Sequence, residues 1–480
     1  MIEEIKKLEN LSSILEPGER ARKDLLNKVI QYGEDFLNGI KSIPAYTKSE
    51  TNGIGIYDSP LLDSGISIDE LLSMLKTNVD TPGLNPASGG HLGYIPGGGI
   101  FYSALGDYLA AITNRYAGVF FASPGAVRME NMLINWMCGI IGYPSSSAGN
   151  LTSGGSIANL IGIVTARDSF ELNAKNFDRS VIYLSEHAHH SIDKAIRIAG
   201  LKDCPVRYIP LDSNYRMKAD ELEKFIAADK KSGLNPWLII GSAGTTDVGA
   251  VDPLEEIGTI AEKNKMWFHL DAAYGGFFAL TDSAKKILTG IEKSDSIIMD
   301  PHKGLFIPYG SGAVLVKDKK NLFNSHHYLA NYMQDALNST DELAPADLSP
   351  ELSKHFRGLR LWLPLKLAGI KPFRAMLEEK ILLARYFYAK MQIMPGIELG
   401  PFPDLSVVTF RCIPDSGDIN EFNKRIIDEI HNDGRVFLSS TMLNGKFTLR
   451  LAVLSFRTHL DTINEAIDIL LKTIEKVKEM

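Results

Sequence analysis

From Arg20 to Ile40 the apolar residues of RARKDLLNKVIQYGEDFLNGI recur three and four apart, which predicts an amphipathic helix. A passage rich in Pro, Gly and Ser follows over residues 42–99, so this first stretch reads as an arm that packs on something larger. From Ser123 the rhythm changes. Ser123-Pro124 predicts an N-cap followed by Pro at the first helical position, opening a helix through Trp136. Short β-branched runs then alternate with helical patterns: SVIYLS, PVRYIP, PWLIIGSAG, KMWFHLD, SIIMD and GAVLVKD predict strands, and SIDKAIRIAG, MKADELEKFIAAD and DPLEEIGTIAEKN predict helices. Strands separated by helices need crossover connections, so the fold class is α/β, with a mixed, mostly parallel sheet covered on both faces. Beyond residues 351–360 the texture differs: KPFRAMLEEKILLARYFYAKM is a long helical pattern, SVVTFRC and FTLRLAVLS alternate as strands, and DTINEAIDILLKTIEKVKEM closes as a helix. That predicts a smaller α+β unit of roughly 110 to 120 residues, an ordinary domain size. The expected division is an arm over 1–95, a large domain over 96–365 and a small domain over 366–480, with the active site where the two domains meet.

Composition narrows the function. With 45% hydrophobic and 23% charged residues over 480 positions, nothing favours disorder. The 51 basic and 58 acidic side chains give a formal charge of −7 with no basic block, which argues against nucleic acid or an anionic membrane as partner. Cys138, Cys204 and Cys412 lack the count and spacing of a disulfide framework or a zinc site. The opening MIEEIKKLENLSSILEPGER lacks the basic start and apolar core of a signal peptide, so a cytoplasmic enzyme is expected. Residues 131–166 carry no charge, but PSSSAGN and TSGGS interrupt the run, which predicts deep burial in a core or subunit interface rather than a membrane span.

Four local features carry chemistry. Thr152-Ser153-Gly154-Gly155-Ser156 precedes a helical pattern, so small residues and a helix start offer backbone amides to a phosphate, the alternative being a plain capped loop. No G-x-G-x-x-G occurs, which disfavours a dinucleotide. Asp271 ends the apolar strand of FHLDAAYGG, where ligands of such sheets bind, and its carboxylate would keep a pyridine nitrogen beside it protonated; a turn Asp is the bland reading. Lys303, in MDPHKGLFIPYGSG, follows another apolar strand between His302 and Gly304, a partly desolvated setting that suits an amine forming a Schiff base, against a simple surface lysine. His187, His189 and His190 in SEHAHHSIDKA stand without supporting metal-ligand spacing, so an imidazole stacked on a cofactor ring fits better than zinc.

In this order, together with HLGYIP at His91–Pro96, SPGAVRMENMLINWM, GTTDVGAVDP, FRGLRLW and FTLRLAV, these segments resemble the group II pyridoxal-phosphate decarboxylases, the family of aromatic amino acid, histidine and glutamate decarboxylases, over nearly the whole chain. The resemblance implies the fold of the aspartate aminotransferase class (fold type I) and a homodimer with intertwined N-terminal arms and shared sites. It implies pyridoxal 5′-phosphate held by Lys303 as a Schiff base, Asp271 on its pyridinium nitrogen and His189 stacked on its face. It further implies Gly154, Gly155, Ser156 and Asp300 toward the phosphate, Thr246 and Ala273 lining the ring, and His302 flanking it. His91, Tyr94, Pro96 and Gly97 would contact the substrate, with Tyr116 and Gly118 in a segment that shapes the same pocket. The implied reaction is decarboxylation of an L-amino acid, aromatic as the leading reading, to amine and CO2 through a quinonoid intermediate.

The chain departs from the family at its proton donor. Relatives commonly carry a tyrosine on the loop before FR-x-L, whereas NYMQDALNSTDELAPADLSPELSK, residues 331–354, has none in its later part. Tyr328, Tyr332, His189, or an aldehyde-forming outcome in which oxygen intercepts the intermediate are the options. Gly304 and Asp300, where many relatives carry tryptophan and asparagine, mark a divergent branch. Rival readings are an aldehyde synthase or carbon–carbon lyase on the same fold and a silent dimeric scaffold, the last disfavoured because a scaffold needs none of Asp271, Lys303 and His189.

Overall fold

Seven strands pair into one sheet among the described residues: β1 (Ala148–Thr152), β2 (Ser180–Leu184), β3 (Val206–Tyr208), β4 (Asn235–Ser242), β5 (Trp267–Asp271), β6 (Ser296–Met299) and β7 (Gly312–Val316). The computed structural model describes residues 1–50, 52–328 and 342–479. The strand order is β1-β7-β6-β5-β4-β2-β3. Only β7 runs against its neighbours β1 and β6, and every other pairing away from β7 is parallel. The sheet is therefore mixed and mostly parallel, the fold type I arrangement. Strands β1, β2, β6 and β7 are buried at every position, which is why β2, β6 and β7 read as nearly continuous apolar runs rather than as alternation.

The register fixes the site. Ser242 of β4, Asp271 of β5 and Ile298 of β6 are paired neighbours at the C-terminal ends of parallel strands, the edge outside which ligands bind in such sheets. The predicted helix after Ser123 spans Pro124–Ile141, with Pro at its start and Gly142 closing it at φ 79°, as left-handed helix ends favour. The uncharged stretch is buried as expected, entirely so in β1 and on the inner faces of Pro124–Ile141 and Gly155–Ser169.

A second sheet orders Ile397–Leu399, Val407–Cys412, Lys446–Ala452 and Ser439–Leu443, all antiparallel, under Ile419–Asp433 and Leu460–Lys478. The helix Ile370–Gln392 joins the two cores: Phe373, Leu377 and Ile381 pack with the large one, and Leu383, Ala384, Phe387 and Met391 with the small one. Our proposed division at residue 366 thus falls just before a helix that both domains share. The arm is likewise split. Helices Ile2–Ser12 and Glu19–Gly39 bury no residue against their own chain, whereas Leu92 is buried in the small core and exchanges backbone hydrogen bonds with Phe437 and Ala452. Among the described residues no helix is long and apolar enough to cross a membrane.

Candidate active site

A cavity of about 300 Å³ opens at the strand ends, lined by Gly154, Gly155, Ser156, His189, Thr246, Asp271, Ala273, Asp300, His302 and Lys303. All ten residues expected at the cofactor lie in its wall. The helix Gly155–Ser169 starts there with no side-chain cap, so its first N–H groups and its positive end remain available to an anion. Gly312 permits this packing: a Cβ at 312 would lie 2.6 Å from the Gly154 carbonyl carbon and 2.8 Å from Asp300 Oδ1. The residue is therefore more than turn punctuation, since any side chain would push β7 off the helix start.

Lys303 sits in the short helix Pro301–Gly304 with Nζ 3.3 Å from Asp300 Oδ2. Asp300 is fully buried, and its Oδ1 has no hydrogen-bond partner among the described residues. Burial pushes its carboxyl above the usual carboxylate range, while Lys303 and His302 pull it back down. His302 donates from Nδ1 to the Ser311 carbonyl at 2.5 Å, and its Nε2 lies 3.7 Å from Asp300 Oδ2. Burial lowers the His302 pKa, so the ring is an uncharged neighbour of the lysine at neutral pH. Asp271 accepts from Asn159 Nδ2 at 3.0 Å and from the Ala273 N–H at 3.2 Å. His189 bonds through Nδ1 to Ser191 Oγ at 2.7 Å, and burial lowers its pKa as well.

The expected substrate group is placed differently. His91, Tyr94, Pro96 and Gly97 are not in the wall of this single-chain cavity; Ile95, which was not singled out, is. The reason is packing: His91 is buried edge-on against Phe437 at 5.5 Å, and Tyr94 leans on the same ring at 5.7 Å. Pro96 is buried, and a Cβ on Gly97 would meet the His302 carbonyl at 2.3 Å, so this turn braces the lysine segment from behind. Gly118 packs on the Leu352 backbone, and Tyr116 is partly exposed. Tyr328 is 87% exposed, away from the cavity wall, and Tyr332 lies outside the described residues.

Two further residues shape the cavity. His187 lines the cavity, stacks on Tyr215 at 5.4 Å and leaves Nδ1 buried without a partner among the described residues. Arg450, from the small domain, donates to the carbonyls of Thr246 and Asp247, so the small domain holds the loop that forms one side of the cavity.

Burial holds the His91 imidazole down to about 4, and neither ring nitrogen has a partner among the described residues. The folded chain keeps this ring neutral, while the unfolded chain protonates it near 6.5. Its contribution to stability is therefore full above about pH 6.5 and lost as pH falls toward 4, by up to about 3 kcal/mol. Urea titrations across that window will show it, and His91→Phe will flatten the pH dependence; an unchanged slope in the variant rejects the assignment.

Known proteins show the same arrangement of sequence and fold. The pyridoxal-dependent decarboxylase conserved domain matches residues 69–413. The aromatic-L-amino-acid decarboxylase of Bacillus atrophaeus is 33% identical, over 91% of this chain and 92% of that protein. A phenylacetaldehyde synthase of Petunia hybrida is 28% identical, over 92% and 91%. The crystal structure of Oryza sativa TDC with PLP and tryptamine superposes with a TM-score of 0.90 at 24% identity, over 96% of this chain and 99% of that one.

Proposed function

The chain belongs to the pyridoxal-dependent decarboxylase family, and from that premise we propose that it converts an aromatic L-amino acid to its amine and CO2, with Lys303 as the attachment point of the cofactor. Its cofactor is pyridoxal 5′-phosphate. The residues present fit that group: uncapped helix N–H groups suit a phosphate, Asp271 suits a ring nitrogen, and Lys303 Nζ faces the same cavity. The single observation that carries the reading is this convergence of an amine, a carboxylate and an anion-binding helix start on one enclosed space.

When bound, the cofactor supplies a conjugated electron sink for the bond that breaks at Cα. The chain's own residues do the rest. The N–H groups at Gly155 and Ser156 fix the phosphate end, which sets the position of the whole group. The Asp271 carboxylate holds a proton on the ring nitrogen by direct charge attraction. Lys303 Nζ would hold the cofactor and yield its place to the substrate's amine, and the buried Asp300 carboxyl 3.3 Å away would receive or return a proton at Nζ. Ala273 and His189, both in the cavity wall, would hold the flat ring. The proton that must reach Cα is assigned to His189 or to a tyrosine of residues 328–332. A second reading, aldehyde formation with oxygen consumed, draws support from the loop after 341, which contains no tyrosine before Phe356.

Incubating holoenzyme with a panel of aromatic, acidic and basic amino acids while following CO2, amine and peroxide tests both readings. Amine with stoichiometric CO2 and no peroxide from an aromatic substrate is expected. Aldehyde with peroxide replaces the first reading by the second, and turnover confined to non-aromatic substrates overturns the specificity.

We also propose a homodimer. The exposed Leu8, Leu11, Leu25, Leu26, Val29 and Ile30 on helices that bury nothing against their own chain support it, since such stripes are covered in a stable assembly. Light scattering is expected to give twice the chain mass, and deleting residues 1–42 to yield monomer; a monomeric full-length chain refutes the proposal.

A further inference from the structure

From the sheet a line of buried side chains runs to Asp271 and His189, reaching the cavity wall at Asn159 and Ser191. Trp267 Nε1 donates to Ser296 Oγ at 2.8 Å, and Ser296 Oγ lies 2.7 Å from His269 Nδ1. His269 Nε2 is 2.9 Å from Asn159 Oδ1. Asn159 Nδ2 then donates both to Asp271 Oδ2 and to Ser191 Oγ, each at 3.0 Å, and Ser191 Oγ is 2.7 Å from His189 Nδ1. Trp267, Ser296, His269, Asn159 and Ser191 are all buried, so water does not compete for these bonds.

The chemistry of the two ends gives the line one direction. A carboxylate only accepts, so Asn159 must turn its Nδ2 to Asp271 and its Oδ1 to His269. His269 must then carry its proton on Nε2, which makes Nδ1 an acceptor for the Ser296 hydroxyl. That hydroxyl in turn accepts from Trp267, whose indole N–H can only donate. On the other branch, the Ser191 hydroxyl accepts from Asn159 and donates to His189 Nδ1. The Ser191 backbone N–H, 3.3 Å from the same nitrogen, independently makes it an acceptor. Turning the Asn159 amide over would face its carbonyl to the Asp271 carboxylate and strand the relay at both ends.

The sequence keeps space for this contact. A Cβ on Gly162, in the middle of the helix Gly155–Ser169, would lie 2.6 Å from His269 Cε1. Glycine at a helix interior costs roughly 0.5–1 kcal/mol relative to alanine, a cost that close approach of the helix to His269 explains. Burial also holds the His269 imidazole down to about 4. The charged groups facing the line are few: Asp271 for His269, and Asp271, His190, Lys303 and Asp247 for His189.

We infer that Asn159, His269, Ser296 and Trp267 are positioning residues: their one-way relay fixes the Asn159 amide as donor to Asp271 and, through Ser191, holds His189 as the Nε2–H tautomer. This rests on the reading of Asp271 and His189 given above. The relay couples the two groups through a single amide, so the partner of the ring nitrogen and the ring stacked on its face are set together. It also leaves Nε2–H of His189 as the proton-bearing nitrogen of a residue in the cavity wall.

Neutron diffraction of the wild-type holoenzyme reads the claim directly. Deuterium on Nε2 and none on Nδ1 is expected at both His269 and His189; deuterium on His269 Nδ1, or on both of its nitrogens, overturns it. A pair of variants adds a functional readout. His269→Gln offers an acceptor and a donor to Ser296 and Asn159, whereas His269→Phe fills the volume and offers neither. The pH midpoint of the holoenzyme's cofactor absorbance is expected to move by about one pH unit or more in His269→Phe and to return toward wild type in His269→Gln, with kcat following and KM nearly constant. Equal midpoints in all three proteins refute the relay. Borohydride labelling of Lys303 in each protein separates the outcomes: label present with unmoved midpoints rejects the relay alone, and label absent from wild type rejects the underlying cofactor reading.

Discussion

Replacing Lys303 by alanine is expected to lower turnover by roughly 10³-fold or more, the scale on which loss of a covalent amine nucleophile is felt, while leaving the fold intact. The side chain is one-quarter exposed and, among the described residues, its one ion pair is with Asp300, so truncation opens no sealed core. Asp300 is already pushed toward its neutral form by burial; losing the neighbouring ammonium pushes it further, and a protonated carboxyl is tolerated where it stands. Circular dichroism and the urea midpoint should therefore change little, whereas the visible absorbance of the bound cofactor should be lost or shifted. A small added amine is expected to restore part of the rate by taking the place of Nζ. Near-normal turnover in Lys303→Ala would remove the residue from the mechanism.

The second large effect belongs to Asp271. Asparagine keeps the shape but not the charge, so it cannot hold a proton on the ring nitrogen. An opposite charge at contact distance is worth one to three pKa units, or about 1.4–4 kcal/mol. Lost mainly in the transition state, that range lowers kcat in Asp271→Asn by roughly 10- to 10³-fold. Cofactor affinity should fall much less, because the phosphate cradle at Gly154–Ser156 and Lys303 are untouched. Asp271→Glu is expected to recover part of the rate by restoring charge at an altered distance. Stopped-flow and equilibrium absorbance separate the two quantities; a kcat within a few-fold of wild type would show that this carboxylate does not control the ring.

Much of this was legible in the sequence because burial on both faces of a parallel sheet writes itself as unbroken apolar runs. Strands β2 and β4 to β7 and the helices between them follow that rule, whereas β3 is a partly exposed edge strand, VRY. Strand β1 escaped it: AGNLT carries glycine and asparagine, poor strand formers that are held here by pairing with β7. In the site, Lys303 and Asp271 were readable because each stands at the end of an apolar strand at the sheet's ligand-binding edge, and the glycine–serine turn because it opens a helical pattern. The turn at His91–Gly97 folds against Phe437 and the lysine backbone, and of its residues only Ile95 reaches the wall of this single-chain cavity. Asn159 left no trace. One polar residue on a buried helix face looks the same in sequence whether it serves a relay or satisfies a carbonyl, and only the sheet brings His269 and Asp271 to it.

The helix Ile370–Gln392 adds a physical link between domains. One end packs in each core, and Arg450 ties the small domain to the Thr246–Asp247 loop. Small-domain movement would therefore be transmitted to one wall of the cavity, through a rigid helix and two backbone carbonyls.

The account stands most directly on the attachment at residue 303. Borohydride reduction of the holoenzyme, followed by proteolysis and mass spectrometry, should place a stable pyridoxyl group on Lys303 and on no other lysine. A label on a different lysine, or a protein that binds the cofactor without any label, would contradict it.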